Sequence, residues 1–182
     1  MSQGYTNVRG TGLAESSIVE FEERLIIHVP ANVVERMLVD APALPQWRTC
    51  MRENVETSDP IMKPGTTVSF VTTQYGLYFD YIQIVSQYIP GETLAYRTTK
   101  GLFFIDTTYE WAEDHGSTRL TCRYRLYVPK NKQFIKRLVE RSFQNQSRDD
   151  NKNLKHLLET GAQRYRAASN LTPDEPRLES LK

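Results

Sequence analysis

A chain of 182 residues, 39% hydrophobic and 25% charged, fits one domain with tails and can bury a sizeable core without staples. Its net charge of +1 removes the usual argument for a nucleic-acid partner, since phosphate binding needs a clear basic excess. No run approaches the ~20 apolar residues of a membrane span, so stable membrane insertion is not expected.

Residues 1–16 are rich in Gly, Ser and Thr, aperiodic, and read as a mobile tail. They hold no apolar stretch of the secretory kind, and residue 2 is Ser rather than the Gly that myristoylation needs. A cytoplasmic protein is the resulting expectation. The only cysteines, Cys50 and Cys122, then stay reduced. With His28, His115 and His156 they show no ligand spacing, so neither metal nor cofactor is expected.

The ordered part is expected over 17–168. "IVEFEERLIIHV" alternates Val19, Phe21, Glu23, Leu25, Ile27 and Val29 against polar neighbours, the period of a strand. Pro30 follows, and "ANVVERMLVD" places Val33, Val34, Met37 and Leu38 at helical spacing. "APALPQW" is a proline-punctuated short helix or turn ending at Trp47. Strands are then predicted near 52–57, 66–74, 78–88, 92–98, 103–112 and 118–128, separated by Gly and Pro turn signals. Their short spacing calls for antiparallel hairpins.

The inward face is read as Val68, Phe70 and Thr72, then Leu94, Tyr96 and Thr98, then Phe103, Ile105, Thr107, Tyr109 and Trp111. In the last strand Leu120, Cys122, Tyr124, Leu126 and Val128 share one face. Strand 78–88 is ambiguous. Either Tyr78, Asp80, Ile82 and Ile84 face in, or Phe79, Tyr81, Gln83 and Val85 do. An inward Asp80 would have a raised pKa and serve as an acid or base.

From about Lys130 to Ala168 the period is helical. Two apolar stripes are separated by "QNQSRDDNKN", ten residues without an apolar side chain. At 100° per residue, Ser142, Gln146, Asp150 and Asn153 fall on the side of Ile135, Val139 and Leu157, which should meet the sheet. Either polar groups look into the interior there, or the helix lifts away and the segment is solvated. Residues 169–182 carry two prolines and read as a second tail.

One strand, two short helices, six antiparallel strands and one long helix fit an α+β arrangement. A curled seven-stranded sheet can cover its concave face with the helix and leave a cavity between them. On three stretches the chain resembles the helix-grip fold of the START and birch-pollen-allergen superfamily (SRPBCC), and within it the polyketide cyclase/dehydrase-like branch. They are "IIHVPANVVERMLVDAPALPQW", "YEWAEDHGSTRLTCRY" and "NLKHLLE".

The resemblance, over roughly 17–166, implies that the loops "QYGLY", "TKGLFF" and "VPKNKQF" lie at one end of the cavity. Leu77 and Leu102 would then flank its mouth, as a gate, as caps of the core end, or as a transient membrane contact. The expected ligand is a hydrophobic small molecule, lipid or polyketide-like. Trp47, Phe70, Leu77, Tyr81, Tyr96, Leu102, Phe103, Ile105, Tyr109, Trp111, Tyr124, Phe143 and Gln146 are its candidate contacts. The alternative is a polyketide cyclase/aromatase using Asp80, Asp150, Tyr96 and Tyr109 for positioning and acid–base help. No nucleophile–base pair is supported by spacing, and a homodimer is left open.

Overall fold

The computed structural model describes residues 16–51, 55–74 and 77–169. Most of both expected tails, and the start of the strand predicted near 52–57, lie outside these. Seven strands form one antiparallel sheet in the order β1-β7-β6-β5-β4-β3-β2. They are β1 (Ser16–Ile27), β2 (Glu56–Thr57), β3 (Thr67–Gln74), β4 (Leu77–Ile89), β5 (Thr93–Lys100), β6 (Phe104–Asp114) and β7 (Ser117–Pro129). After β1 come α1 (Ala31–Val39), a 3-10 turn (Ala41–Ala43) and α2 (Leu44–Trp47). A second 3-10 turn (Lys130–Ile135) leads into α3 (Lys136–Ser169). This is the helix-grip architecture expected from the sequence.

Sequential strands from β3 to β7 pair as neighbours, while β1 crosses over to pair with β7, Ser16 opposite Pro129. Two register shifts between β4 and β5, at Ile82/Gln83 and Val85/Gln87, add the local bend that curling needs. The outer face is held by cross-strand charges that its period-2 spacing places opposite one another. Arg125 pairs with Glu20 at 2.6 Å, Arg123 with Glu22 at 2.8 Å, and Arg97 with Asp106 at 3.1 Å.

Much of the inner face is apolar. Val68, Val85, Leu94, Trp111, Leu120 and Cys122 pack with Leu154 and Leu158 of α3 and with Val34 and Leu38 of α1. Pro30 opens α1, where its fixed φ suits the N-cap. Glu35 ties that helix to the β4–β5 turn by accepting from the Tyr88 hydroxyl (2.8 Å) and the Gly91 N–H (2.9 Å). A second cluster, Val19, Phe103, Leu126, Val128 and Val139, fills the other end, under the start of α3.

Strand β4 settles the open choice. Tyr81, Gln83 and Val85 are buried, and Asp80 is exposed. The reading with Asp80 inward is therefore corrected. Asp80 lies on the outer face, 3.5 Å from Lys100, where solvent and a cation satisfy its charge. The pairing of Tyr81 with Phe70 fixes this phase, because only that register lets the two rings stack inside (centroids 5.7 Å, 16°).

Candidate functional site

A cavity of about 280 Å³ lies between the sheet and α3. β3 and β4 contribute Phe70, Thr72, Thr73, Tyr81 and Gln83. β6 and β7, with the turn before β6, contribute Phe103, Ile105, Thr107, Tyr109, Tyr124 and Leu126. α3 contributes Val139, Ser142, Phe143, Gln146, Ser147 and Asp150, and the segment after α2 adds Arg48 and Cys50. Along α3 the lining passes from Val139 and Phe143 to Gln146 and Asp150, so one part of the cavity is apolar and the other polar. Ser142 lines the cavity and is solvent-exposed, which places the opening beside the start of α3.

The polar part is organised around Asp150 and Arg48. Asp150 Oδ1 accepts from the Thr49 N–H (2.9 Å), the Thr49 hydroxyl (3.1 Å) and Gln146 Nε2 (2.9 Å). Burial raises the Asp150 pKa above its ordinary value; the nearby Arg48 charge and these hydrogen bonds pull the other way without cancelling it. Arg48 donates to Gln83 Oε1 at 3.4 Å, and its guanidinium stands 5.8 Å from the Trp47 ring and 5.9 Å from that of Phe70. Burial disfavours its charge, but Tyr109, Cys50 and Asp150 around it outweigh this and hold its pKa above the usual value. Among the described residues no carboxylate lies within ion-pair distance of Arg48. Burial also drives the Tyr109 hydroxyl well above its ordinary pKa, so it is a neutral donor at physiological pH.

The polar interruption of α3 thus turns inward rather than lifting away. At the very next residue, Asn151 Oδ1 accepts from the Tyr124 hydroxyl at 3.1 Å, and Asn151 Nδ2 donates to Glu23 Oε2 at 2.7 Å. Arg148 completes this link at 3.0 Å from Glu23. It accounts for Glu23 sitting on the inward face of β1.

Of the sequence-predicted contacts, Phe70, Tyr81, Phe103, Ile105, Tyr109, Tyr124, Phe143 and Gln146 line the cavity, as does Asp150. Trp47, Tyr96 and Trp111 do not. They are buried in the core, Trp47 edge-on to Tyr109 at 6.1 Å and Tyr96 with its hydroxyl toward the Leu38 carbonyl at 3.4 Å. Leu77 is exposed and Leu102 half-buried at the cavity's open end, neither forming its wall. Sequence reasoning passed over Arg48 and Cys50, which follow a short helix and carry no periodicity. The one signal was a charge next to a buried Trp. Cys50 and Cys122 are free thiols, and burial raises both their pKa values, that of Cys122 to about 12. Among the described residues no cluster of His, Cys, Asp or Glu could hold a metal ion, and no helix is long and apolar enough to cross a membrane.

A curved antiparallel sheet gripping one long helix around a cavity defines a protein of the helix-grip, Bet v 1-like class. The chain belongs to the family described as polyketide cyclase / dehydrase and lipid transport, whose model matches residues 19–159. The fold is shared with many solved structures, among them three at low sequence identity. Ara h 8.0201 is 15% identical, with TM-score 0.64, covering 79% of this chain and 99% of its own. An aromatase/cyclase from Streptomyces sp. R1128 is 15% identical, with TM-score 0.64, covering 79% and 94%. A truncated norcoclaurine synthase from Thalictrum flavum is 13% identical, with TM-score 0.62, covering 79% and 95%. No curated protein matches the sequence.

Proposed function

We propose that the chain binds a hydrophobic small molecule, a lipid or polyketide-like compound, in the cavity between sheet and α3. The observation that carries this is the two-part lining. Phe103, Ile105, Leu126, Val139 and Phe143 offer apolar surface, while Arg48, Gln83, Gln146 and Asp150 converge beyond them. Such a site suits a ligand with an apolar body and one oxygenated end. At about 280 Å³ the space falls just below the range of ligand pockets, which run from about 300 to 1,000 Å³. It favours a flat ring system or a single chain over a two-chain lipid. The family match supports the reading.

Native mass spectrometry of freshly purified protein should show a copurified small molecule. Phe103→Ala and Phe143→Ala should weaken its retention, and Trp111→Ala should act through stability instead. A protein that carries no ligand, and that saturates with no apolar fluorescent probe, would sink the proposal.

A second reading rests on Asp150, a buried carboxyl with a raised pKa that lines the cavity together with Tyr109. There the same cavity would position a reactive polyketide chain for acid–base catalysis. Tyr109→Phe decides between the two. A cyclase loses turnover while still binding product, and a carrier binds much as before.

A further inference from the structure

The rim of the cavity carries a second surface that ligand binding does not explain. The C-terminal ends of β3, β5 and β7 and the N-terminal ends of β4 and β6 lie at one end of the sheet. There the side chains of Leu77 and Tyr78 on β4 are each 62% exposed. Where β7 passes into α3, Phe134 is 86% and Leu138 59% exposed. Phe134 and Leu138 are four residues apart and both exposed, while the adjacent Val139 is buried. Leaving four large apolar side chains in water around one opening is uncommon unless something covers them.

Charge says what covers them. Residues 130–141 contain Lys130, Lys132, Lys136, Arg137 and Arg141 against Glu140 alone, in a chain whose net charge is only +1. Lys132 reaches back to the Leu102 carbonyl at 3.3 Å and over the Phe103 ring at 5.0 Å, so the 3-10 turn that leads into α3 is pinned to the β5–β6 tip. Among the described residues Lys136, Arg137 and Arg141 form no ion pair. An exposed apolar pair ringed by unneutralised cations is the pattern of a helix that rests in the headgroup layer of an anionic bilayer.

We propose that this rim, with Phe134 and Leu138 as apolar anchors and Lys136, Arg137 and Arg141 as headgroup contacts, docks reversibly on an anionic membrane surface and turns the cavity mouth toward it. The docking does not require the cavity reading. A protein that binds vesicles but holds no small molecule keeps this proposal and loses only the other.

The test is cosedimentation of the full chain with sucrose-loaded vesicles of phosphatidylcholine, with and without phosphatidylserine. The wild type should pellet with the phosphatidylserine vesicles, weakly with phosphatidylcholine alone, and less as salt is raised. Phe134→Ser with Leu138→Ser should lower the partition coefficient about tenfold or more, since two apolar side chains lose their burial. Lys136→Glu with Arg137→Glu should abolish the preference for phosphatidylserine. All four side chains lie outside the core, so melting temperature should hold, and the charge pair serves if the apolar pair perturbs folding. Wild-type binding indifferent to phosphatidylserine, or variants that bind as the wild type does, would overturn the proposal. So would a lipid-independent dimer that Phe134→Ser with Leu138→Ser dissociates, which would assign the patch to a second copy.

Discussion

Asp150 illustrates how one residue's environment becomes a pH dependence. Its carboxyl has an ordinary pKa of 3.8 and a higher one in the folded chain, because burial outweighs Arg48 and the Thr49 and Gln146 donors. Below pH 3.8 the group is protonated in both folded and unfolded chains and costs nothing. As pH rises past 3.8 the unfolded chain releases its proton first, so the folded chain binds more protons and stability falls. The loss continues until the folded carboxyl has ionised too. Asp150→Asn holds the position neutral and keeps an oxygen for the Thr49 N–H. The variant should therefore melt above the wild type at pH 7, with the gap closing toward pH 3.8. Thermal melts across that range check this. An Asn variant that melts lower at pH 7 would mean that Arg48 stabilises the ionised carboxylate more than burial penalises it.

Between elements, the decisive contacts are polar ones that join α3 to the β1–β7 pair. Asn151 bridges Tyr124 of β7 and Glu23 of β1, and both partners are largely withdrawn from water. Asn151→Ala strands a hydroxyl and half of a carboxylate's hydrogen bonding, for which about 2 kcal/mol is expected in urea unfolding. Arg97→Ala on the outer face breaks an exposed pair and should cost under about 1 kcal/mol. A smaller element, the β5–β6 tip, depends on Gly101, whose α-carbon passes so close to the Tyr81 ring that a methyl group there would overlap it. Gly101→Ala should displace Tyr81, break the bond its hydroxyl accepts from the Phe103 N–H (3.2 Å), and cost about 1–3 kcal/mol. Calorimetric melting reads that loss.

These elements also mark what the sequence makes legible. Period-2 alternation set the phase of β3, β5, β6 and β7, because each has one apolar face. β4 offers apolar residues in both phases, and only its pairing with Phe70 and Thr72 on β3 chooses between them. The polar stretch of α3 had the correct face by helical geometry. That it turns inward depends on partners over a hundred positions away, Thr49 and Glu23.

At the scale of the whole molecule, strands β3, β4, β6 and β7, helix α3 and the segment after α2 come together around a cavity with an opening beside the start of α3. That the hairpin tips and the start of α3 border one end of it was what the family resemblance implied. Arg48, in contrast, reaches the cavity only because Trp47 is buried next to it and Phe70 lies across the fold. The opening separates residues that form the wall from residues that only border the path inward. Phe143 is wall, while Leu77 is exposed and Leu102 packs half-buried at the tip without touching the cavity. A wall residue contacts the bound ligand, so Phe143→Ala should raise the equilibrium dissociation constant, chiefly through faster release. A bordering residue contacts a ligand only in passage, so Leu77→Ser with Leu102→Ser should change association and dissociation rates by the same factor and leave their ratio near the wild-type value. Leu77 contributes little to folding from its exposed position, and the half-buried Leu102 gives up about 1–2 kcal/mol at most. Stopped-flow fluorescence with an apolar probe measures both rates, and urea unfolding measures the stability. If the double variant instead loses most of its stability, the two tips belong to the core. If rates and equilibrium constant are all unmoved, ligand enters elsewhere.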